Sequence, residues 1–433
     1  MRGIGFGNFF VRKGFDTMSP STHPYRLTTI CCFVGIFVQA IVSNLTAILF
    51  LPMMNLYGFT YIHLGILVGV NFATQVAADI VLSGAIDKKG FRFFVLPTCL
   101  LSFAGLLLFA ATPLFFPGHV FAGILAATVI FAFSSGMLEV ILSPIIDAIP
   151  GDDKGPAMSL MHSFYAWGQV ATIIVTTLFV FLFGGKRWPI VVLLWAIVPL
   201  TAFFLFLRAP FPPNKPAEHR QGMRALLFRP FYLIALAAIF CGAAAEVVLN
   251  QWSSTYMEKG LSLPKVAGDL LGMCGYAVML GLGRVIYGVR GSRLNMNRVL
   301  MGGSLLALAC YLIVSFSPFS ALNIAACALC GFGTSLLWPG TLVLSSEHYP
   351  MAGAWLFAVL AAAGDIGAAF GSWLAGAVAD GAAGSPFSYS LASLLHIDGG
   401  QADLRIAILV CAVFPLLAFL CHLGLARLHR SSR

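Results

Sequence analysis

Charged residues are scarce in this chain. Of its 433 residues, only 9% are Asp, Glu, Lys or Arg, whereas 59% are hydrophobic. A soluble domain of this size keeps roughly a quarter of its residues charged, so too little polar surface is left to cover a globule in water. The scarcity argues against a soluble fold and predicts a protein whose solvent is lipid.

Several kinds of chemistry are also missing from the sequence. No segment matches the phosphate-binding loop of ATP-driven pumps, which argues against primary pumping by this chain. The histidines are scattered rather than paired at haem spacing. Cys327 and Cys330 form a C-x-x-C pair, but no His or carboxylate nearby completes a metal site. We therefore expect a protein that is not an enzyme and that carries no metal and no cofactor.

Long apolar runs are what the chain has instead. A membrane helix needs about 20 mostly apolar residues. Twelve segments meet this requirement: 27–51, 60–86, 92–113, 118–145, 157–184, 188–208, 229–255, 265–289, 296–317, 320–345, 351–379 and 403–427. The longest stretches without a helix pattern are 1–26, 209–228 and 381–402. The sequence thus predicts an all-α membrane protein with twelve transmembrane helices.

The distribution of Lys and Arg predicts the orientation in the membrane. With the N-terminus inside, all but six of the 25 basic residues fall on the cytoplasmic side. Arg284 lies within a helix, and the five outside are Lys186, Arg187, Lys259, Lys265 and Arg405. This asymmetry follows the positive-inside rule. Both termini are therefore expected in the cytoplasm, and the net charge of +9 calls for no nucleic-acid partner.

The two halves of the chain correspond to each other. Helices 1 and 7 begin about 202 residues apart, and the loops after helices 2 and 8 share a Gly-x-Arg pattern at residues 90–92 and 291–293. We predict a cytoplasmic tail (1–26), a six-helix bundle (27–208), a cytoplasmic linker (209–228), and a second six-helix bundle with a short tail (229–433). In parallel repeats of this kind, the substrate site lies at the interface between the halves.

Ionisable side chains in membrane helices are candidates for function, because each costs about 2.5–3.5 kcal/mol on insertion scales. Glu246 shares a helix face with Asn250, and the repeat offset matches it with Asn44, so both halves present polar groups to one site. Glu139 lies between Ser135 and Ser143 on one helix face. For each carboxylate, the alternative is an ordinary interhelical hydrogen bond that holds the bundle together.

Other polar residues inside helices suggest coupling or gating. Asp365 lies in a run of small residues, where it either couples ions or accepts a hydrogen bond from a neighbour such as Arg284. Arg284 does not readily lose its proton, so we expect it to have an acidic partner in a structural or gating pair. Asp79 continues a polar stripe with Asn71 and Gln75 on helix 2, close to the loop that follows, and is assigned to gating.

Helices 5 and 10 carry further candidates. His162, Tyr165 and Gln169 share one face of helix 5, where they either line a pathway or join neighbouring helices. Trp338 offers a ring on which a sugar could stack. The proline that follows it, Pro339, is expected to break helix 10 locally and to free backbone carbonyls.

The loop at 83–92, Ser-Gly-Ala-Ile-Asp-Lys-Lys-Gly-Phe-Arg, resembles the major facilitator signature G-x-x-x-D-R-x-G-R-R. In that superfamily the loop is a conformational latch, and the resemblance therefore implies gating roles for Asp87 and Arg92. Within the superfamily, four helices are similar to the fucose:proton symporter-like branch. The similar stretches are Ala245-Glu246 with Trp252 and Tyr256, Gly136 with Glu139, 161–168, and Ser335 with Trp338-Pro339.

This resemblance implies secondary transport of a small polar solute, a sugar or a related metabolite, across the cytoplasmic membrane by alternating access, with the proton gradient as driving force. We expect a monomer in a lipid bilayer, the bacterial inner membrane. The predicted roles are solute binding by Asn44, Gln169, Glu246, Asn250 and Trp338, proton coupling by Glu139, Glu246 and Asp365, and gating by Asp79, Asp87, Arg92 and Arg284.

Two departures keep alternatives open. The acidic residue of helix 1 in the branch would fall at Ala47, so one protonatable group is missing and a uniporter stays possible. Gly168 is followed by Gln169 rather than by the proline of drug antiporters, although an exporter of drugs or metabolites remains an alternative. From other classes, a membrane redox protein and a non-transporting receptor are the rivals.

Overall fold

In the computed structural model, all regular secondary structure of the described residues is helical. These residues are 24–59, 61–82, 90–150, 154–213, 228–290, 294–349, 352 and 354–431. Among the helices of this part of the chain, eleven are long and apolar enough to cross a membrane, and Gly65–Val81 is a shorter apolar stretch. The predicted all-α membrane fold is confirmed.

The first six helices occupy the N-terminal part. They are α1 (Arg26–Ile48, continued by Phe50–Tyr57), α2 (Tyr61–Leu82), α3 (Phe91–Phe115), α4 (Val120–Ala148), α5 (Lys154–Phe183) and α6 (Trp188–Arg208). The next six are α7 (Pro230–Thr255), α8 (Gly275–Arg290), α9 (Met296–Phe316), α10 (Ser320–Thr334 and Leu337–His348), α11 (Ala354–Ala382) and α12 (Gly399–Cys411 and Val413–Ser431).

The two bundles repeat the same packing. In the first bundle α1 packs against α5, α2 against α4, and α3 against α4 and α6; in the second, α7 packs against α11, α8 against α10, and α9 against α10 and α12. The bundles meet along α2 with α11 and along α5 with α8, which we call the 2–11 seam and the 5–8 seam. Exchanging each helix for the one six positions away turns one seam into the other, so the bundles are related by a pseudo-twofold axis.

The apolar cores follow this division. Each bundle has its own buried clusters, and a small fifth cluster joins α1 and α5 to the start of α8. That shared cluster contains Ala47, Ile48, Ile173, Met273 and Cys274. Most apolar side chains therefore pack within one bundle, while Ala166 and Ala358 join the clusters of the opposite bundle.

Three helices are interrupted where a proline four residues later lacks a backbone N–H. Pro52 cannot donate to the carbonyl of Ile48, and α1 is interrupted at Leu49 and resumes to Tyr57, beyond the predicted end at 51. Pro415 cannot donate to Cys411, and α12 is interrupted at Ala412. Pro339 cannot donate to Ser335, and α10 is interrupted between Thr334 and Leu337. The expected break in helix 10 is confirmed, because a proline removes the hydrogen bond to the residue four positions earlier and its ring crowds that carbonyl.

One stretch predicted to lack structure contains a helix. Pro386–Leu395 is helical, with the Ser385 side chain accepting a hydrogen bond from the backbone N–H of Ser388 and with proline in the first turn. Ser followed by Pro is a helix-start signature, which the apolar-run criterion overlooked. The prediction of a helix-free stretch over 381–402 is therefore wrong. The predicted helix at 265–289 also opens differently, since Gly268–Cys274 is a π-helical segment.

Candidate functional site

Arg284 is the most connected charged residue of the interface. Its Nη2 lies 3.1 Å and 3.3 Å from the two carboxylate oxygens of Glu246 on α7. Nε donates to the Ser335 carbonyl of α10 at 3.0 Å, and Nη1 donates to the His162 carbonyl of α5 at 3.2 Å. Because α5 belongs to the other bundle, this guanidinium ties the two bundles together at the 5–8 seam.

The proline in α10 explains why Arg284 finds a free carbonyl. In an unbroken helix, the Ser335 carbonyl would accept from the backbone N–H four residues later, but that residue is Pro339. The carbonyl instead accepts from Arg284. Arg284 therefore has the acidic partner that the sequence predicted, and the partner is Glu246. A predicted coupling and solute-binding carboxylate is thus held in an ion pair within the second bundle.

Glu139 is held inside the first bundle. Its carboxylate accepts a hydrogen bond from Gln39 of α1 at 2.9 Å. One turn earlier on α4, Ser135 donates to Gln75 of α2 at 2.9 Å, and Gln75 donates to Asn71 at 2.7 Å. The polar stripes of α2 and α4 therefore face each other, and Gln39 is a partner that the sequence did not single out.

A pair of amides joins the bundles at the middle of the interface. Gln169 of α5 donates to Asn250 of α7 at 2.6 Å, and its own side-chain oxygen is buried without a hydrogen-bond partner. Nearby, Asn44 donates to the Tyr165 hydroxyl at 3.2 Å and to the backbone carbonyl of Ala40 at 2.9 Å. Two of the predicted solute-binding residues thus meet between the bundles, and a third, Asn44, bonds to Tyr165 within the first bundle.

At the end of the 5–8 seam opposite Arg284 lies a contact that the sequence did not predict. Thr177 of α5 donates to Asp269 at 3.2 Å across the bundles. Asp269 also accepts from Ser254 at 2.6 Å and forms a charge-assisted pair with Lys265. The available signal was the Lys265–Asp269 spacing of four residues, which favours ion pairs on a helix.

These contacts place three polar links along one helix. His162, Gln169 and Thr177 of α5 are seven and eight residues apart, which at 1.5 Å per residue separates the links by about 10 and 12 Å. All three contact the second bundle. Polar contacts therefore join α5 to the second bundle at both ends and in the middle, through α8, through α7 and through the segment that precedes α8.

The 2–11 seam carries two acids instead. Asp79 is fully buried, and both of its carboxylate oxygens lack a hydrogen-bond partner. Asp365 of α11 is 3% exposed, and one of its oxygens is likewise unpartnered. The two carboxylates interact electrostatically with each other and with Glu139.

The remaining predicted residues lie in different places. Arg92 donates to the backbone carbonyl of Leu207 and so joins α3 to α6, while Asp87 lies outside the described residues. Trp338 packs against Gly364 of α11, where an added Cβ would lie 2.3 Å from the indole ring. Trp338 is therefore next to Asp365 along α11.

A narrow pocket lies between α1, α2 and α7. Its lining is Ser43, Thr46, Ala47, Leu67, Val68, Asn71, Phe72 and Gln251. The Thr46 hydroxyl is buried there without a hydrogen-bond partner. The pocket thus presents hydroxyl and amide groups and no ionised group.

Two six-helix bundles that close on buried polar contacts within a membrane define a multi-pass transporter. The chain belongs to the Major Facilitator Superfamily, whose family model matches residues 32–372. Over these residues it is therefore similar to a family of transporters.

Solved structures of the same fold cover nearly the whole chain. The fucose:proton symporter FucP of E. coli is 16% identical, with a TM-score of 0.63 over 91% of this chain and 99% of that one. The proton:xylose symporter XylE is 14% identical, with a TM-score of 0.71 over 91% and 95%. A bacterial homologue of the lysosomal transporter Spinster is 13% identical, with a TM-score of 0.68 over 93% and 97%. No curated protein sequence gives a significant match.

Proposed function

We propose that the chain is a secondary transporter that moves a small, uncharged polar solute, a sugar or a related metabolite, by alternating access. Gln169, Asn250 and Asn44 bind the solute, with Trp338 and Glu246 at the margin of the site. The proposal places the protein in the bacterial inner membrane, with both termini in the cytoplasm.

The amide pair between the bundles is the observation that carries this proposal. Gln169 and Asn250 bond to each other at 2.6 Å, and the Gln169 oxygen is left buried without a partner. A buried acceptor without a partner costs about 1–3 kcal/mol. A solute hydroxyl would satisfy that oxygen and replace the amide–amide bond as the bundles separate. Neutral donors and acceptors of this kind suit sugars better than charged or apolar solutes.

Proton coupling is assigned to Glu139 and Glu246, with Asp365 as a further coupling acid. Glu139 accepts a single described side-chain hydrogen bond, from Gln39, and Glu246 is paired with Arg284. Protonation of either carboxylate weakens its contact and so changes how its helix is held. Because Ala47 stands where related transporters have an acid, the coupling depends on these residues more heavily than in that branch.

Solute binding can be tested by thermal stabilisation of the purified protein with a panel of sugars and polyols. Gln169→Ala and Asn250→Ala should abolish the stabilisation that the best compound gives to the unmodified protein. Gln401→Ala is the matched control, since Gln401 contacts Ser262 away from the interface. If the amide variants keep full stabilisation, the solute does not bind at this pair.

Coupling can be tested in vesicles with an imposed proton gradient. Glu139→Gln should abolish concentrative uptake of the identified solute and spare exchange between its labelled and unlabelled forms. Concentrative uptake that persists in this variant removes Glu139 from coupling. Equilibration without accumulation in the unmodified protein identifies a uniporter, and net efflux driven by the gradient identifies an exporter.

A further inference from the structure

Two buried acids at the 2–11 seam have no assigned counter-charge. Asp79 lies three residues before the end of α2 at Leu82, and Asp365 lies in the first half of α11. Asp79 is completely shielded, with neither carboxylate oxygen accepting a hydrogen bond. An isolated ionised carboxylate in such surroundings is costly enough that it protonates or acquires a cation instead.

Within the described part of the neighbouring helices, no residue provides that cation. On α4 the ionisable group that acts on both acids is Glu139, which is itself acidic. On α7 the buried ionisable residue is Glu246, whose charge is already matched by Arg284 of α8. The other ionisable residues of the helices that pack on α2 and α11 lie near helix ends or, for His422, between Ser304 and Thr341; they include Arg26, Asp147, Glu347, His348, Asp380, Asp403 and Arg405.

A metal ion fits this seam poorly. The neighbouring helix α4 lies so close to α2 that an added Cβ on Gly136 would be 2.9 Å from the Ala78 Cβ, one residue before Asp79. Among the described residues, no group of three or more His, Cys, Asp and Glu is placed to hold a metal ion. A proton needs no additional space and converts an acceptor-only carboxylate into a group that can also donate.

We propose that Asp79 and Asp365 form a proton-binding pair that is occupied when the 2–11 seam is closed and that ionises when the seam opens. The two acids come from different bundles, so separation of the bundles exposes both to water and removes the repulsion between them. The proton is transferred between a carboxylate oxygen and water, and no other bond changes. The pair extends the coupling role proposed above for Asp365 and includes neither Glu139 nor Glu246, and it does not depend on which solute is carried.

Infrared spectroscopy detects the proton directly. At neutral pH the purified protein should show the C=O stretching band of a protonated carboxylic acid, and Asp79→Asn with Asp365→Asn should remove it. Asp380→Asn is the matched control, because Asp380 is an exposed acid on the same helix. Absence of the band in the unmodified protein would overturn the proposal. So would a band that survives the double substitution and disappears in Glu139→Gln.

The distance between spin labels on Val81 and Ile366 measures whether the 2–11 seam is closed or open. Both residues are exposed, at 65% and 49%, and flank the acid pair on α2 and α11. Labelling requires only a Cys421→Ala background, since the other nine cysteines are buried. The distance between the labels should lengthen as the pH is raised and stay short at every pH in the double Asn variant. A distance in the unmodified protein that does not change with pH contradicts the proposal even if the variant fails to fold.

Discussion

Arg284 shows how one residue can connect three helices. Its contacts to Glu246, Ser335 and His162 use one counter-charge and two backbone carbonyls. A buried ion pair offsets its desolvation only when further hydrogen bonds satisfy the remaining donors. The carbonyls of Ser335 and His162 meet that requirement, which makes the pair tolerable in a membrane helix.

Neutralising only one member of this pair should destabilise the protein. Glu246→Gln leaves Arg284 buried without a counter-charge, and we expect a loss of about 3–5 kcal/mol in the free energy of unfolding. Adding Arg284→Met should recover most of that loss, because no buried charge is then left unpaired. Denaturant unfolding in mixed micelles measures both variants.

The exposed acid Glu347 provides the control for this cycle. Glu347→Gln should change the free energy of unfolding by less than about 1 kcal/mol, as is usual for exposed charges. If Glu246→Gln is no more destabilising than Glu347→Gln, then the Arg284 guanidinium is not held by Glu246.

Helices were the best-predicted elements, since each is a long apolar run. Their interruptions were less predictable. Pro52, Pro339 and Pro415 coincide with breaks, but Pro97, Pro144 and Pro199 lie inside continuous helices. At the Pro339 break, Arg284 takes the freed carbonyl of Ser335, a contact that the sequence does not reveal.

The site was predictable in its residue types and not in its partners. Buried acids, amides and Arg284 stood out because such groups are rare in membrane helices. The pairings Gln39–Glu139 and Thr177–Asp269 could not be predicted. They depend on how each helix is rotated about its axis and shifted along it relative to its neighbour. Periodicity gives the face of one helix, but it does not give the register between two helices.

Close contact between α2 and α4 depends on a glycine. A Cβ on Gly136 would lie 2.7 Å from the Gln75 carbonyl oxygen, and backbone cannot move aside as a flexible side chain can. Gly136→Ala should therefore lower the stability by about 1–3 kcal/mol, although alanine is the better helix former by about 1 kcal/mol. Thermal unfolding in detergent measures the change.

Gly69 on α2 is the matched control, because an added Cβ there would have no atom within 4 Å. Gly69→Ala should leave the unfolding temperature unchanged or raise it. Equal effects of the two substitutions would mean that α2 and α4 are not in backbone contact at Gly136.

At the scale of the whole molecule, the bundles meet along two seams whose polar contacts differ. The 5–8 seam has polar links along α5, whereas the 2–11 seam has the unpaired acids Asp79 and Asp365. Alternating access requires one end of these seams to open while the other stays closed. The links at the two ends of α5 are therefore expected to break separately.

Breaking the Thr177–Asp269 link should open one end of the molecule. A hydrogen bond to a charged group contributes about 1.5–3 kcal/mol, so Thr177→Val should favour the open state about tenfold or more. Cys274 is a native reporter, because it is buried in the cluster that α1 and α5 share with α8. Its alkylation by a membrane-impermeant maleimide, measured by mass spectrometry, should accelerate by a similar factor.

The neighbouring Thr176 provides the control, because the same substitution there removes a hydrogen bond within the first bundle instead of one between the bundles. Thr176 accepts from Trp195 within the first bundle at 3.0 Å, so Thr176→Val should leave the alkylation rate of Cys274 unchanged. Cys310 and Cys330, buried inside the second bundle, should stay unreactive in both variants. Labelling of all three cysteines in Thr177→Val would indicate unfolding, and an unchanged rate at Cys274 would show that the Thr177–Asp269 contact does not hold this end closed.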